Sequence, residues 1–138
     1  MKKIFILTTV LFILASCSSQ LTEKVEVRYP NEQPQTVIKL NKSGVCVYKT
    51  EYYNSGQVRM EGPMNGDKME GEWTAYFPDG RVQSYGYFKD GKRTGAATVY
   101  WMNGNLREEG FYTEGRHSGR WKWYDEQGNL LREENYGE

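Results

Sequence analysis

The stretch Tyr76-Phe77-Pro78-Asp79-Gly80-Arg81-Val82-Gln83-Ser84-Tyr85-Gly86-Tyr87-Phe88-Lys89-Asp90-Gly91-Lys92 carries two turn signals with a short run between them. Asp-Gly favours a two-residue hairpin turn, because both central positions can take positive φ. Outward from this stretch the same frame returns every 24 residues. Tyr52, Tyr76, Tyr100 and Tyr124 form one column, Gly56, Gly80, Gly104 and Gly128 a second, and Val58, Val82, Leu106 and Leu130 a third. Gly62, Gly86 and Gly110 align, as do Gly71, Gly95 and Gly119, and as do Met64, Phe88, Tyr112 and Tyr136. No gap interrupts the frame. Two turns per unit leave room for two strands of about six to eight residues, and no sustained helical apolar period competes with them. The chain therefore reads as all-β: an elongated antiparallel meander of tandem 24-residue β-hairpin repeats over residues 52–138, forming a single sheet.

Upstream the frame weakens. Tyr29-Pro30-Asn31 stands one unit before Tyr53-Asn54-Ser55, but Glu32 replaces the column glycine and Pro34 the column aliphatic. Residues 25–51 read as a degenerate capping repeat, which repeat arrays commonly need.

Alternation assigns the faces. Trp73, Ala75 and Phe77 point one way, Glu72, Thr74 and Tyr76 the other; Ala97, Val99 and Trp101 repeat the first pattern, and so do Trp121 and Trp123. Pairing Phe77 with Val82, Ala75 with Ser84 and Trp73 with Gly86 places Val82, Gly86 and Phe88 on the tryptophan side, with the column glycines beside the indoles. Trp73, Phe77, Phe88, Trp101, Trp121 and Trp123 then form the candidate binding face, with Trp73 and Trp121 read first as core packing residues. Its indole and phenyl rings would approach roughly 1,000 Å², more than a monomer normally leaves open, so sheet curling, the worn repeat, a second copy or a partner should cover it.

The first residues belong to export. Lys2 and Lys3 precede an apolar run from Ile4 to Ala15, broken only by Thr8 and Thr9. This is the layout of a secretory signal peptide. Leu14-Ala15-Ser16-Cys17 resembles the lipobox of bacterial lipoproteins. The resemblance implies cleavage after residue 16, acylation of Cys17 and a stable membrane tether, with residues 17–24 as a polar linker. Ser18 and Ser19, with no Asp after the cysteine, favour the outer membrane as the envelope location. Cys46 is the only other cysteine and reads as a small apolar packing residue.

The columns resemble the MORN-type repeats, specifically the bacterial variant of proteins labelled YwqK-family antitoxins. The stretch quoted first carries the resemblance most clearly, and it runs from Tyr52 to Glu138. It implies an elongated sheet of hairpins used for protein or membrane contacts. The antitoxin label travels with it, although a lipid-anchored envelope protein fits a cytoplasmic antitoxin poorly, and fold analogy alone does not establish function.

Catalysis finds little footing. His117 is the sole histidine and reads as a solvated turn residue sharing a column with Met69 and Arg93. Glu108-Glu109 and Glu133-Glu134 are sequence neighbours on strands, so each pair divides between the two faces. No zinc ligand set, phosphate loop or nucleophile motif is present, and no metal or cofactor is expected. With 18 basic and 18 acidic residues, the balanced charge gives no footing for nucleic acid. The reading is a non-enzymatic, membrane-anchored protein-interaction scaffold with a protein partner or a second copy on its aromatic face. The alternatives are a glycan- or wall-binding module and an antitoxin-like neutralising partner.

Overall fold

In a computed structural model describing residues 21–137, the chain is one open antiparallel sheet. Its strands are β1 (Thr22–Arg28), β2 (Pro34–Leu40), β3 (Cys46–Tyr52), β4 (Val58–Asn65), β5 (Lys68–Met69), β6 (Gly71–Tyr76), β7 (Val82–Lys89), β8 (Lys92–Tyr100), β9 (Leu106–Thr113), β10 (Arg116–Tyr124) and β11 (Leu130–Asn135). Each pairs with its sequence neighbour; β5 pairs only with β4 and continues, after Glu70, into β6. The expected hairpin meander is the observed fold. The signal segment and Cys17 lie outside the described residues. Strand β1 begins at Thr22, inside the segment read as linker, because it pairs along β2 from Thr22 opposite Leu40.

The Asp79-Gly80 class does not form the two-residue turn expected of it. In the Asp79-Gly80 class the Phe77 N–H donates to Arg81 O at 2.8 Å and the Gly80 N–H to Phe77 O at 2.9 Å, and only the glycine has positive φ, at 87°. This is a three-residue turn ending in a glycine bulge, and Pro78 suits its first position. The Asp79 carboxylate accepts the Arg81 N–H and fixes the corner. The same closure recurs at Tyr53–Gln57, Trp101–Asn105 and Asp125–Asn129. The worn repeat keeps it as well: the Glu32 N–H donates to Tyr29 O at 2.9 Å with Glu32 at φ 66°. The two-residue turn with two positive φ values falls instead at Asp90-Gly91 (51° and 81°) and Glu114-Gly115 (51° and 83°).

One pairing changes with the turn. Trp73 faces Gly86 and Ala75 faces Ser84, as read from the sequence, but a bulge sets Tyr76, not Phe77, opposite Val82. Val82 thereby leaves the tryptophan row and is 40 % exposed.

The second-turn ends are where the sheet bends. Between Gly86–Ala97 and Tyr87–Thr94 the register slips, with Gly95 at φ 65°; a second slip brackets Gly119 at 59°, and Gly71 at 70° opens β6 just after the break from β5 at Glu70. A residue with a Cβ would be strained at these positions. His117 and Trp121 should stand about 13 Å apart along a straight strand. Their rings stack at 3.9 Å, so the strand is folded at Gly119 and its outer part turns back over the tryptophan row. Bulges bend a strand in this way. Each tip also hangs on the copy before it, with the Gly66, Gly91 and Gly115 N–H groups donating to Cys46, Met69 and Arg93 carbonyls. The sheet thus supplies its own cover, and Trp73 and Trp121 are each only 3 % exposed.

Candidate functional site

The indoles lie on glycines, one strand away from the pairing read in the sequence. Trp73 on β6 covers Gly62 on β4, where a Cβ would come within 2.5 Å of the ring, and Trp121 on β10 likewise covers Gly110 on β9. The Trp73 Nε1–H donates to Pro63 O at 2.8 Å and the Trp121 Nε1–H to Phe111 O at 2.9 Å. A buried indole needs such a partner for its polar tip. Gly86, the third glycine of the column, meets Ala97 instead.

Of the six residues assigned to the aromatic face, Trp73 and Trp121 are therefore core, and their rings are not an open docking surface. Phe88 packs edge-on to Trp73 at 6.4 Å, and Trp123 stacks on Trp121 at 5.9 Å. Trp123 also donates to Glu108 Oε2 at 2.9 Å and has the Arg132 guanidinium 3.8 Å from its ring centre. These four residues belong to one continuous cluster. Phe77 and Trp101 stand at the opposite, three-residue-turn border. There Trp101 donates to Tyr124 O at 3.0 Å, as Tyr29 does to Tyr52 O and Tyr53 to Tyr76 O. This column of aromatics reaching into the next repeat was visible in the sequence as Tyr29, Tyr53, Phe77 and Trp101, but alternation alone gave it no purpose.

What joins the cluster is a line of residues at the folded tips. Phe88 pairs with Arg93 and Tyr112 with His117 across their turns. The Arg93 guanidinium sits between two rings, 5.2 Å from Phe88 and 5.4 Å from Tyr112. His117 sits between Tyr112 at 5.1 Å and Tyr136 at 5.0 Å. His117 is exposed yet engaged on β10, so it is not a free turn residue. Arg93, Tyr112, His117 and Tyr136 were missed as site residues because strand periodicity cannot show which side chains a bend brings together.

On the reverse face the tyrosine column is tied to residues 15 positions earlier. Tyr76 donates to Glu61 at 3.3 Å, Tyr124 to Glu109 at 2.9 Å and Tyr100 to Tyr85 at 3.4 Å. The hydrogen bond with Tyr85, followed by burial, pushes Tyr100 up to about 12. Burial and then the Glu61 carboxylate raise Tyr76; burial and then the bond to Glu109 raise Tyr124. Beside them lies a shallow groove of about 280 Å³ lined by Ala96, Thr98, Glu109, Phe111, Arg120 and Lys122 among others, with Phe111 54 % exposed.

Fold and site together define a repeat-based binding module. The family described as MORN repeat variant matches residues 69–90, 93–114 and 118–137, three tandem copies spanning β5 to β11. The matches begin at Met69, downstream of Tyr52 where the sequence columns start. No curated protein and no solved structure matches the chain.

Proposed function

We propose that this chain is a non-catalytic scaffold of the bacterial cell envelope, held to a membrane by acyl chains on Cys17, that binds a partner protein along its folded hairpin tips. The observation that carries the reading is the line Phe88, Arg93, Tyr112, His117 and Tyr136, in which cationic or ionisable side chains alternate with aromatic rings across successive repeats. Aromatic and arginine side chains are the ones enriched where protein surfaces meet and where binding energy concentrates. The buried indoles beneath make this border stiff, which lowers the entropy lost on docking. The lipobox and the serines after Cys17 support an outer-membrane location, with the sheet displayed from that membrane.

A photo-crosslinker at exposed Arg116, in the membrane-bound protein, should capture a defined envelope protein. Arg93→Glu combined with Tyr112→Ala should lose that capture while the sheet's circular-dichroism signal persists. Undiminished capture by the double variant would contradict the assignment of the border. Cys17→Ser should abolish palmitate labelling and membrane fractionation; unchanged labelling would refute the anchor.

A further inference from the structure

The three glycine-column sites are built alike, and in two of them an indole fills the space. Ring, glycine and carbonyl recur as Trp73 on Gly62 with Pro63 O, and as Trp121 on Gly110 with Phe111 O. One repeat spacing between them, the floor is Gly86, the equivalent carbonyl is that of Tyr87, and the tryptophan position is Ala97. Alanine offers neither a ring nor a donor. The residue that enters the space is Arg93, whose Nη1 comes 3.5 Å from where a Gly86 Cβ would stand. Its guanidinium is planar like an indole and stacks between Phe88 and Tyr112. Arg93 as a residue is exposed, so this lid has solvent to swing into, whereas Ala97 beneath it is 5 % exposed.

The geometry points to an indole slot in the middle repeat, floored by Gly86 and Ala97, walled by Phe88 and Tyr112, closed by Arg93 and completed by a tryptophan side chain of the partner protein. The partner's ring lies flat on Gly86 and its N–H donates to the Tyr87 carbonyl, while the guanidinium moves aside. The occupant is specified by the neighbouring repeats, which seat that ring in the same setting. A phenyl ring would lack the donor. This inference rests on the binding-module reading and names the chemistry of the partner at one position of the border.

Fluoroindole, followed by its fluorine NMR signal, is the probe for the full chain in detergent micelles. It should bind the wild-type protein saturably at one site. Gly86→Ala should fold normally, since its Cβ would meet nothing nearer than 3.5 Å, yet lose the probe, because a Cβ under a seated ring has no room at the equivalent Gly62. Ala97→Trp should lose the probe by filling the slot from within. Arg93→Ala should bind it roughly five- to thirtyfold more tightly, the factor set by the two exposed cation–π contacts that the guanidinium otherwise gives up. Non-saturable binding, or undiminished binding by Gly86→Ala, would overturn the slot, as would failure of Gly86→Ala to fold. Crosslinking from Arg116 separates this inference from the reading beneath it. A partner captured without any indole site leaves the module standing and removes the slot; an indole site without any captured partner removes the module reading and, with it, the assignment of the slot to a partner's tryptophan.

Discussion

The middle repeat and the two flanking it share a backbone plan but not a core. At Gly62 and Gly110 the glycine exists because an indole occupies the position of its missing side chain, and each indole in turn has a carbonyl to receive its N–H. At Gly86 the glycine has no such occupant, and its nearest neighbours stand at ordinary contact distance. Identical residues in one column thus do different work. The flanking copies fill this site with a buried indole, and the one between them fills it with Ala97 and the Arg93 guanidinium.

The largest effect that would break this contrast is loss of an indole. Trp73→Ala or Trp121→Ala should each cost about 3–5 kcal/mol in urea denaturation, while Ala97→Gly should cost only about 1 kcal/mol. Similar losses at all three positions would erase the distinction. Turn substitutions sharpen it at a smaller scale. Glu32, Asp90 and Glu114 hold positive φ without being glycine, so glycine at each should stabilise the chain by about 1 kcal/mol. At Glu114 the exposed pair with Lys92 is given up in exchange, and such pairs contribute little.

The reverse face adds a pH dependence. Tyr100, Tyr76 and Tyr124 all titrate above the ordinary tyrosine value when folded. As pH rises past 10 the unfolded chain ionises first, so their contribution is complete below pH 10 and is lost as pH climbs towards the folded value, about 12 for Tyr100. Denaturation midpoints should fall over that range, and Tyr76→Phe or Tyr124→Phe should reduce the slope. A flat profile would show that these hydroxyls are not held as described. At acid pH, burial works to raise Glu51, but its bonds to Lys49 and Arg59 outweigh it and hold the carboxyl below its ordinary range. That contribution is present above pH 4.5 and fades as pH falls through the lowered value.

Much of the fold was legible because a 24-residue beat with two turn signals admits few alternatives to a hairpin meander. The pairs Trp73–Gly86 and Ala75–Ser84 followed from an assumed two-residue turn at Asp79-Gly80, and they hold because the bulge between Ala75 and Tyr76 restores the register that the longer turn shifts. The turn types did not, since Asp-Gly suits both a two-residue turn and the end of a three-residue one; Pro78 was the signal favouring the latter. The fold-back at Gly71, Gly95 and Gly119 left only a glycine column, and a column does not state φ. That bend decides the site: it buries Trp73 and Trp121, the packing residues the sequence suggested, by curling the sheet itself over them, and draws Arg93 and His117 into contact with the rings. The choice of Gly62 over Gly86 as the bed for Trp73 was equally out of reach, because cross-strand pairing names the opposite residue and not the neighbour a ring leans upon.

Urea denaturation of the matched set Gly62→Ala, Gly86→Ala and Gly110→Ala tests the central claim most directly. Alanine at Gly62 or Gly110 must displace an indole and should cost about as much as removing that ring, roughly 3–5 kcal/mol; at Gly86 it should change stability by less than about 1 kcal/mol. Three equal losses, or a largest loss at Gly86, would contradict the account.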